Sequence, residues 1–148
     1  MTKRMGRCRF RGAVALEFAL VASFGGFMVL LLGAVELARV MYYMNSANEA
    51  TELGARVAVV CDAHSPLIKQ RMRQVFPVLT DENISVQYYP DNCAVDAATA
   101  RAQCDSVKVS IAPGMRVSTV IPFIDFGFDM PAFSTIKTRE AMDSSTCT

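Results

Sequence analysis

Tryptophan is absent from this 148-residue chain, histidine occurs once, at His64, and the formal net charge is only +1. A balance so close to neutral excludes a broadly basic nucleic-acid-binding surface. The chain has no glycine-rich phosphate loop, no nucleophile elbow and no Cys-x-x-Cys pair, so the usual sequence warrants for nucleotide, acyl-transfer and zinc chemistry are missing. Asp62, His64 and Ser65 stand close together, but Asp and Ser at a helix start are ordinary caps, and a lone histidine beside them is weak support for acid–base catalysis. No catalytic residue, metal site, cofactor or nucleic-acid partner is expected. What the chain has in quantity is apolar: 52% is hydrophobic, too much for a disordered chain and enough for one domain.

Charge and hydrophobicity are both unevenly spread. The first twelve residues contain no acid but include Lys3, Arg4, Arg7, Arg9 and Arg11; the remainder carries 10 basic and 14 acidic residues, a net of −4. Residues 18–35 form an uncharged run of 18, the length of a membrane span. Cations directly before such a run hold the N-terminus in the cytoplasm, so the bulk of the chain is expected outside it. A cleavable secretory signal would have a shorter core and a small-x-small site, whereas here the run continues into a helical pattern without a turn signal. Proline is absent from residues 13–60. As one helix these would extend about 72 Å, against the roughly 30 Å that a bilayer core requires. The first part, residues 16–36, is therefore expected to span the membrane. The second is expected to carry a globular domain.

For packing, Leu37, Met41, Met44, Thr51, Ala55 and Ala58 recur near one helical face, and Glu52 precedes Arg56 by the four residues that suit an intrahelical pair. Ala47, Ala50, Gly54 and Ala58 form a small-residue strip that admits close approach of another element. Past Cys61, Ser65-Pro66 is a helix-start signal, and Leu67, Ile68, Met72, Val75, Phe76 and Leu79 follow at amphipathic spacing, ending near residues 77–80. Residues 84–89 and 107–111 alternate as paired strands do, with a polar loop at 90–105 between them, and residues 133–142 offer a third strand. Residues 115–128 are apolar and partly aromatic, interrupted by Pro122 and Gly127. The fold class read from this is α+β. It comprises a long N-terminal helix at 13–60, then a small domain at 61–148 with a second helix and an antiparallel sheet of about three strands.

One acid lies inside the apolar segment. Glu17 would cost ~2.5 to 3.5 kcal/mol at the bilayer centre, so it calls for a partner or a function. It follows Gly12, the end of the basic stretch, by five residues, in Arg11-Gly12-Ala13-Val14-Ala15-Leu16-Glu17-Phe18. This resembles the leader junction of type IV pilins and pseudopilins, cut after the glycine by a membrane-embedded aspartyl peptidase. With Val35-Glu36-Leu37-Ala38-Arg39 and Ala50-Thr51-Glu52-Leu53-Gly54-Ala55-Arg56, the resemblance narrows to the TadE-like family, minor pseudopilins of tight-adherence (Flp-type, type IVc) pilus systems. It covers roughly residues 11–60. Phe18 stands where tight-adherence pilins usually have tyrosine.

The resemblance implies a pilin-like fold and a structural, non-enzymatic role in pilus assembly. It implies a leader at 1–12 removed between Gly12 and Ala13, and a helix motif at Glu36, Arg39, Gly54 and Arg56. The partners it implies are the prepilin peptidase, other pilins, the inner-membrane assembly platform and the lipid bilayer. The location it implies is a single-pass inner-membrane protein, N-terminus cytoplasmic and C-terminal domain periplasmic, that can enter the extracellular pilus. Cleavage would place a new α-amine on Ala13, one turn from Glu17, able to neutralise that acid in its own chain or a neighbour's. Ala15, Ala19 and Ser23 add small-xxx-small spacing for helix packing. The alternative is an unprocessed bitopic protein with a periplasmic partner-binding domain, in which Glu17 sits at headgroup level.

The cysteines fit export. Cys8 lies in the leader, leaving Cys61, Cys93, Cys104 and Cys147, an even number for an oxidising compartment. Four cysteines allow three pairings. Cys93 and Cys104 flank a loop between two strands expected side by side, which favours that bridge and, by elimination, Cys61 with Cys147.

Overall fold

The structure, a computed structural model, describes residues 7–119, 127–143, 145 and 147, with side chains from Gly12 onward. Lys3 and Arg4 of the basic stretch and Pro122 of the apolar stretch lie outside the described residues. The first element, α1, runs unbroken over Arg7–Val60, as the absence of proline permits. The chain divides into two compact units, Met1–Arg39 and Val40–Thr148.

In the first unit, α1 is the described structure. Apart from Met28, Glu36 and Arg39, every side chain from 12 to 39 is exposed. The helix is long and apolar enough to cross a membrane, and none of its most apolar stretch is buried. Among soluble proteins so continuous an apolar exposure would be an aggregation hazard; in lipid it is the ordinary solution, with every backbone group satisfied within the helix.

In the second unit, the rest of α1 is the spine. The small strip is buried here: Ala47, Ala50 and Ala58 have no solvent exposure, and Gly54 is buried with them. The expected larger face is corrected in part, because Leu37 and Met41 are 63% and 58% exposed. The apolar periodicity runs on into the exposed apolar half of α1, so spacing alone does not mark where burial by protein begins. Helix α2, Pro66–Val75, starts as expected, with the Ser65 side chain accepting from the Leu67 N–H and Pro66 in the first turn. It buries Ile68 and Met72, while Phe76, just past its end, is also buried and lies 5.9 Å from the Tyr43 ring. A 3-10 turn, Asp81–Asn83, leads into the sheet.

The sheet has strands β1, Ile84–Tyr89, β2, Ser106–Ile111, and a third, Phe133–Thr138, in the order first, second, third, all antiparallel. Ile84 stands opposite Ile111 and Val86 opposite Val109, so alternate residues line one face. That face buries Ile84, Tyr88, Val107, Val109 and Ile111. The third strand stops at Thr138, four residues short of the expected end, because the following chain leaves the sheet for the end of α1: the Glu140 and Met142 N–H groups both donate to the Val59 carbonyl.

The expected polar loop at 90–105 is corrected too. It contains α3, Ala97–Gln103, capped by Asp96, whose carboxylate accepts from the Thr99 N–H at 2.7 Å. The alanine-rich run has no amphipathic stripe, which hides it from periodicity, yet Ala is the best helix former and Asp96 an ordinary cap. Two short strands, β3, Arg116–Ser118, and β4, Gly127–Asp129, pair antiparallel as a separate two-stranded sheet at the two ends of the expected apolar stretch. Gly114, at φ 86°, makes the turn before it that a side chain would resist. In chain order the third sheet strand is thus β5.

Candidate functional site

The residues singled out in the sequence form a row along α1, not a pocket. Gly12 has nothing within 4 Å of where a side chain would stand. Ala13 and Glu17 follow as exposed residues one turn apart. Glu36 and Arg39 lie about 28 Å further along at 1.5 Å per residue, and they pair within the helix, Arg39 Nη1 donating to Glu36 Oε2 at 3.0 Å. A pair three residues apart neutralises both charges locally, which suits the end of an apolar stretch. Ser23 donates its hydroxyl to the Ala19 carbonyl at 2.7 Å, so it presents no unsatisfied polar group to an apolar surrounding.

Gly54 and Arg56 serve differently. A Cβ on Gly54 would stand 2.5 Å from Met72 Sδ and 3.2 Å from Val109 Cγ1, so the glycine is where α2 and β2 approach the α1 backbone. Arg56 points to the surface and pairs with Glu52. That hydrogen bond, with the charges of Arg56 and Lys137, holds the Glu52 carboxyl below the usual carboxylate range. Lys137 Nζ lies 3.9 Å from the same carboxylate, and Thr135 Oγ1 donates to Thr51 Oγ1 at 3.3 Å. Polar side chains of β5 thus meet polar side chains of α1.

A second cluster, at the end of α1, was not legible in the sequence. Arg101 of α3 donates through Nη2 to Asp62 at 2.6 Å and through Nε to the Met142 carbonyl at 2.8 Å, with Asp143 3.6 Å away. Asp62 therefore receives an arginine from a distant element in place of the capping role expected for it. Disulfides Cys61–Cys147 and Cys93–Cys104 flank this cluster, with Cα separations of 5.3 and 5.1 Å. Met142, fully buried at φ 46°, is held in that conformation by the Val59 carbonyl on one side and Arg101 on the other.

His64 completes the picture. Its backbone N–H donates to the Tyr88 hydroxyl at 3.0 Å, its ring meets Tyr88 edge-on at 5.1 Å, and its Nε2 lies 3.0 Å from the Ala94 carbonyl. Burial raises the Tyr88 hydroxyl above its ordinary pKa. Ser65 is engaged as the α2 cap. These polar groups hold the fold together, with His64 and Tyr88 tying the α1–α2 junction to β1 and the loop after it. Among the described residues, no group of three or more His, Cys, Asp or Glu side chains is arranged to hold a metal ion.

What remains distinctive is an exposed apolar helix carrying a glycine, an acid and an internal ion pair, with a disulfide-linked α+β domain. That class of architecture is a helix long and apolar enough to cross a membrane, joined to a small disulfide-linked α+β domain. The family model described as TadE-like protein matches residues 12–56, the span from Gly12 to Arg56. No curated protein and no solved structure matches the chain.

Proposed function

We propose that this chain is a minor pilin of a tight-adherence type IV pilus, required for pilus assembly and acting by helix packing and subunit contacts, not by catalysis. The observation that carries the reading is that the family match begins at Gly12 and takes in Glu17, the Glu36–Arg39 pair and the Gly54–Arg56 segment. The exposed apolar surface of residues 12–35 supports insertion in the inner membrane. The basic N-terminus would stay cytoplasmic and the disulfide-bearing domain would lie in the periplasm, from which it can enter the fibre. A prepilin peptidase would cut after Gly12, and the Ala13 amine would then neutralise Glu17 of a neighbouring pilin. Other pilins and the assembly platform are its partners.

The experiment is Glu17→Gln in cells expressing the whole assembly system, with intact mass read on the membrane-extracted protein. Wild type should begin at Ala13. The variant should be inserted and cleaved yet fail in piliation, since one buried charge left without its partner costs ~3 to 5 kcal/mol. A mature wild-type protein that still begins near Met1 would favour the unprocessed bitopic alternative. Normal piliation by a cleaved variant would remove the charge pair from the mechanism.

A further inference from the structure

The sheet ends on two strands, β1 and β5, neither of which pairs along its outer edge among the described residues. Unpaired edges are templates for strand addition unless charge or curvature blocks them. Both strands have six residues, and because each is antiparallel to β2 they run parallel to one another. A copy displaced sideways without rotation therefore brings its β5 beside β1 as a parallel pair. The same displacement keeps residues 40–60 of α1 pointing one way in both copies, as two chains inserted in the same direction require.

Charge selects this arrangement over self-pairing of the β1 edge. Glu82 precedes β1, and Asp91 and Asp96 follow it, all three exposed. An antiparallel β1–β1 seam would set acid against acid. At the matching end of β5 stand Lys137 and Arg139, half-exposed, with Glu140 following and Glu52 sharing Lys137. In the parallel register Ile84 lies beside Phe133 and Tyr89 beside Thr138, so the basic end of β5 meets Asp91 and Asp96. The apolar end, Phe133, meets an open groove of about 540 Å³ beside Ile84 and Val86. Ile136, 61% exposed, would be covered by Gln87 at the same level.

We propose that β5 of one copy adds to β1 of a second copy of this chain, forming a head-to-tail seam. Such a heterologous contact repeats without closing unless its rotation closes a ring. The seam goes beyond the pilus reading, needing only a common direction of insertion.

The test uses two differently tagged full-length chains co-expressed in membranes, one Gln87→Cys and the other Ile136→Cys. Both positions lie on the sheet face opposite the core, each opposite Lys108 in register. The mixed disulfide should exceed either homotypic one by roughly tenfold, since a heterologous seam never places 87 beside 87 or 136 beside 136. Arg139→Glu should lower the mixed yield roughly two- to fivefold, the worth of one exposed ion pair, and Asp91→Lys in the other chain should restore it. Peptide mapping of Cys61–Cys147 and Cys93–Cys104 confirms the fold in each sample. Leader cleavage scored alongside separates failure of the seam from failure of the pilus reading. Homotypic bridges in equal yield, no bridge although both cysteines react with a maleimide, an unreactive cysteine, a bridge to a different protein, or no restoration by Asp91→Lys would each overturn the proposal.

Discussion

At Gly54 the α1 backbone lies so near α2 and β2 that a methyl group would overlap the buried Met72 side chain, which must shift within the core to admit it. Alanine would gain roughly 0.5 to 1 kcal/mol of helix propensity, but overpacking costs ~1 to 3 kcal/mol, and overpacking should win. Gly54→Ala is therefore expected to lower stability by about 1 to 2 kcal/mol, read as a shift in the urea midpoint of the detergent-solubilised chain. Titration also belongs to this scale. Asp96 and Asp143 have carboxyls held below their ordinary 3.8, first by the Thr99 and Ser145 N–H groups respectively. A depressed folded value means the contribution is present above about 3.8 and lost as pH falls through the folded value. Tyr88 is the opposite case. Its hydroxyl is raised above 10.0 by burial, so its contribution is present below that and lost as pH rises through the folded value. The urea midpoint should be level from about pH 5 to 9, decline modestly in acid because Asp96 is exposed and Asp143 partly so, and decline again in alkali. A Tyr88→Phe variant that keeps the full alkaline decline would contradict the assignment.

The elements are joined chiefly at the far end of α1. There Cys61 is bridged to Cys147, and the tail between them and β5 is bound by three N–H donors, from Glu140, Met142 and Asp143, to the Val59 and Val60 carbonyls. The bridge closes a loop of sequence separation 86, for which chain entropy assigns up to about 4.6 kcal/mol. Cys147→Ser should accordingly lower global stability by about 2 to 5 kcal/mol. The tail as far as Asp143 should stay docked, because Arg101 and the backbone bonds remain. Hydrogen exchange checks this: the Met142 and Asp143 amides should stay slower than those of solvent-exposed loop positions in the variant, and early exchange there would mean that the bridge alone holds the tail.

For the whole molecule, the two compact units differ in surface: the first exposes an apolar helix, and the second buries a core of its own. The unit beginning at Val40 contains the sheet, α2, α3, both disulfides and the buried side chains of the core. It has its own hydrophobic centre and should fold without the apolar half of α1. A fragment starting at residue 40, exported to an oxidising compartment, is expected to be soluble without detergent, with a cooperative thermal transition and no free thiol. The full chain is expected to require detergent. A fragment that aggregates or melts without cooperativity would show that the first half of α1 contributes to the core.

Short-range chemistry was enough for much of this. The proline-free run determined α1, Ser65-Pro66 determined the start of α2, and alternation determined β1 and β2, because each depends on neighbours within a few residues. The Gly12-to-Arg56 pattern carried the family resemblance for the same reason, since it lies in one continuous helix. Tertiary structure alone decided where α1 passes from exposed to buried, leaving Leu37 and Met41 in the open while the smaller Ala47 and Ala50 are covered. Periodicity names a face, but only the partner elements determine how far along that face burial extends. It also decided that Asp62 meets Arg101, that Met142 turns into the core, and that β5 ends at Thr138. Each of these joins residues dozens of positions apart, and no local propensity encodes which distant group will arrive to satisfy a charge or a carbonyl.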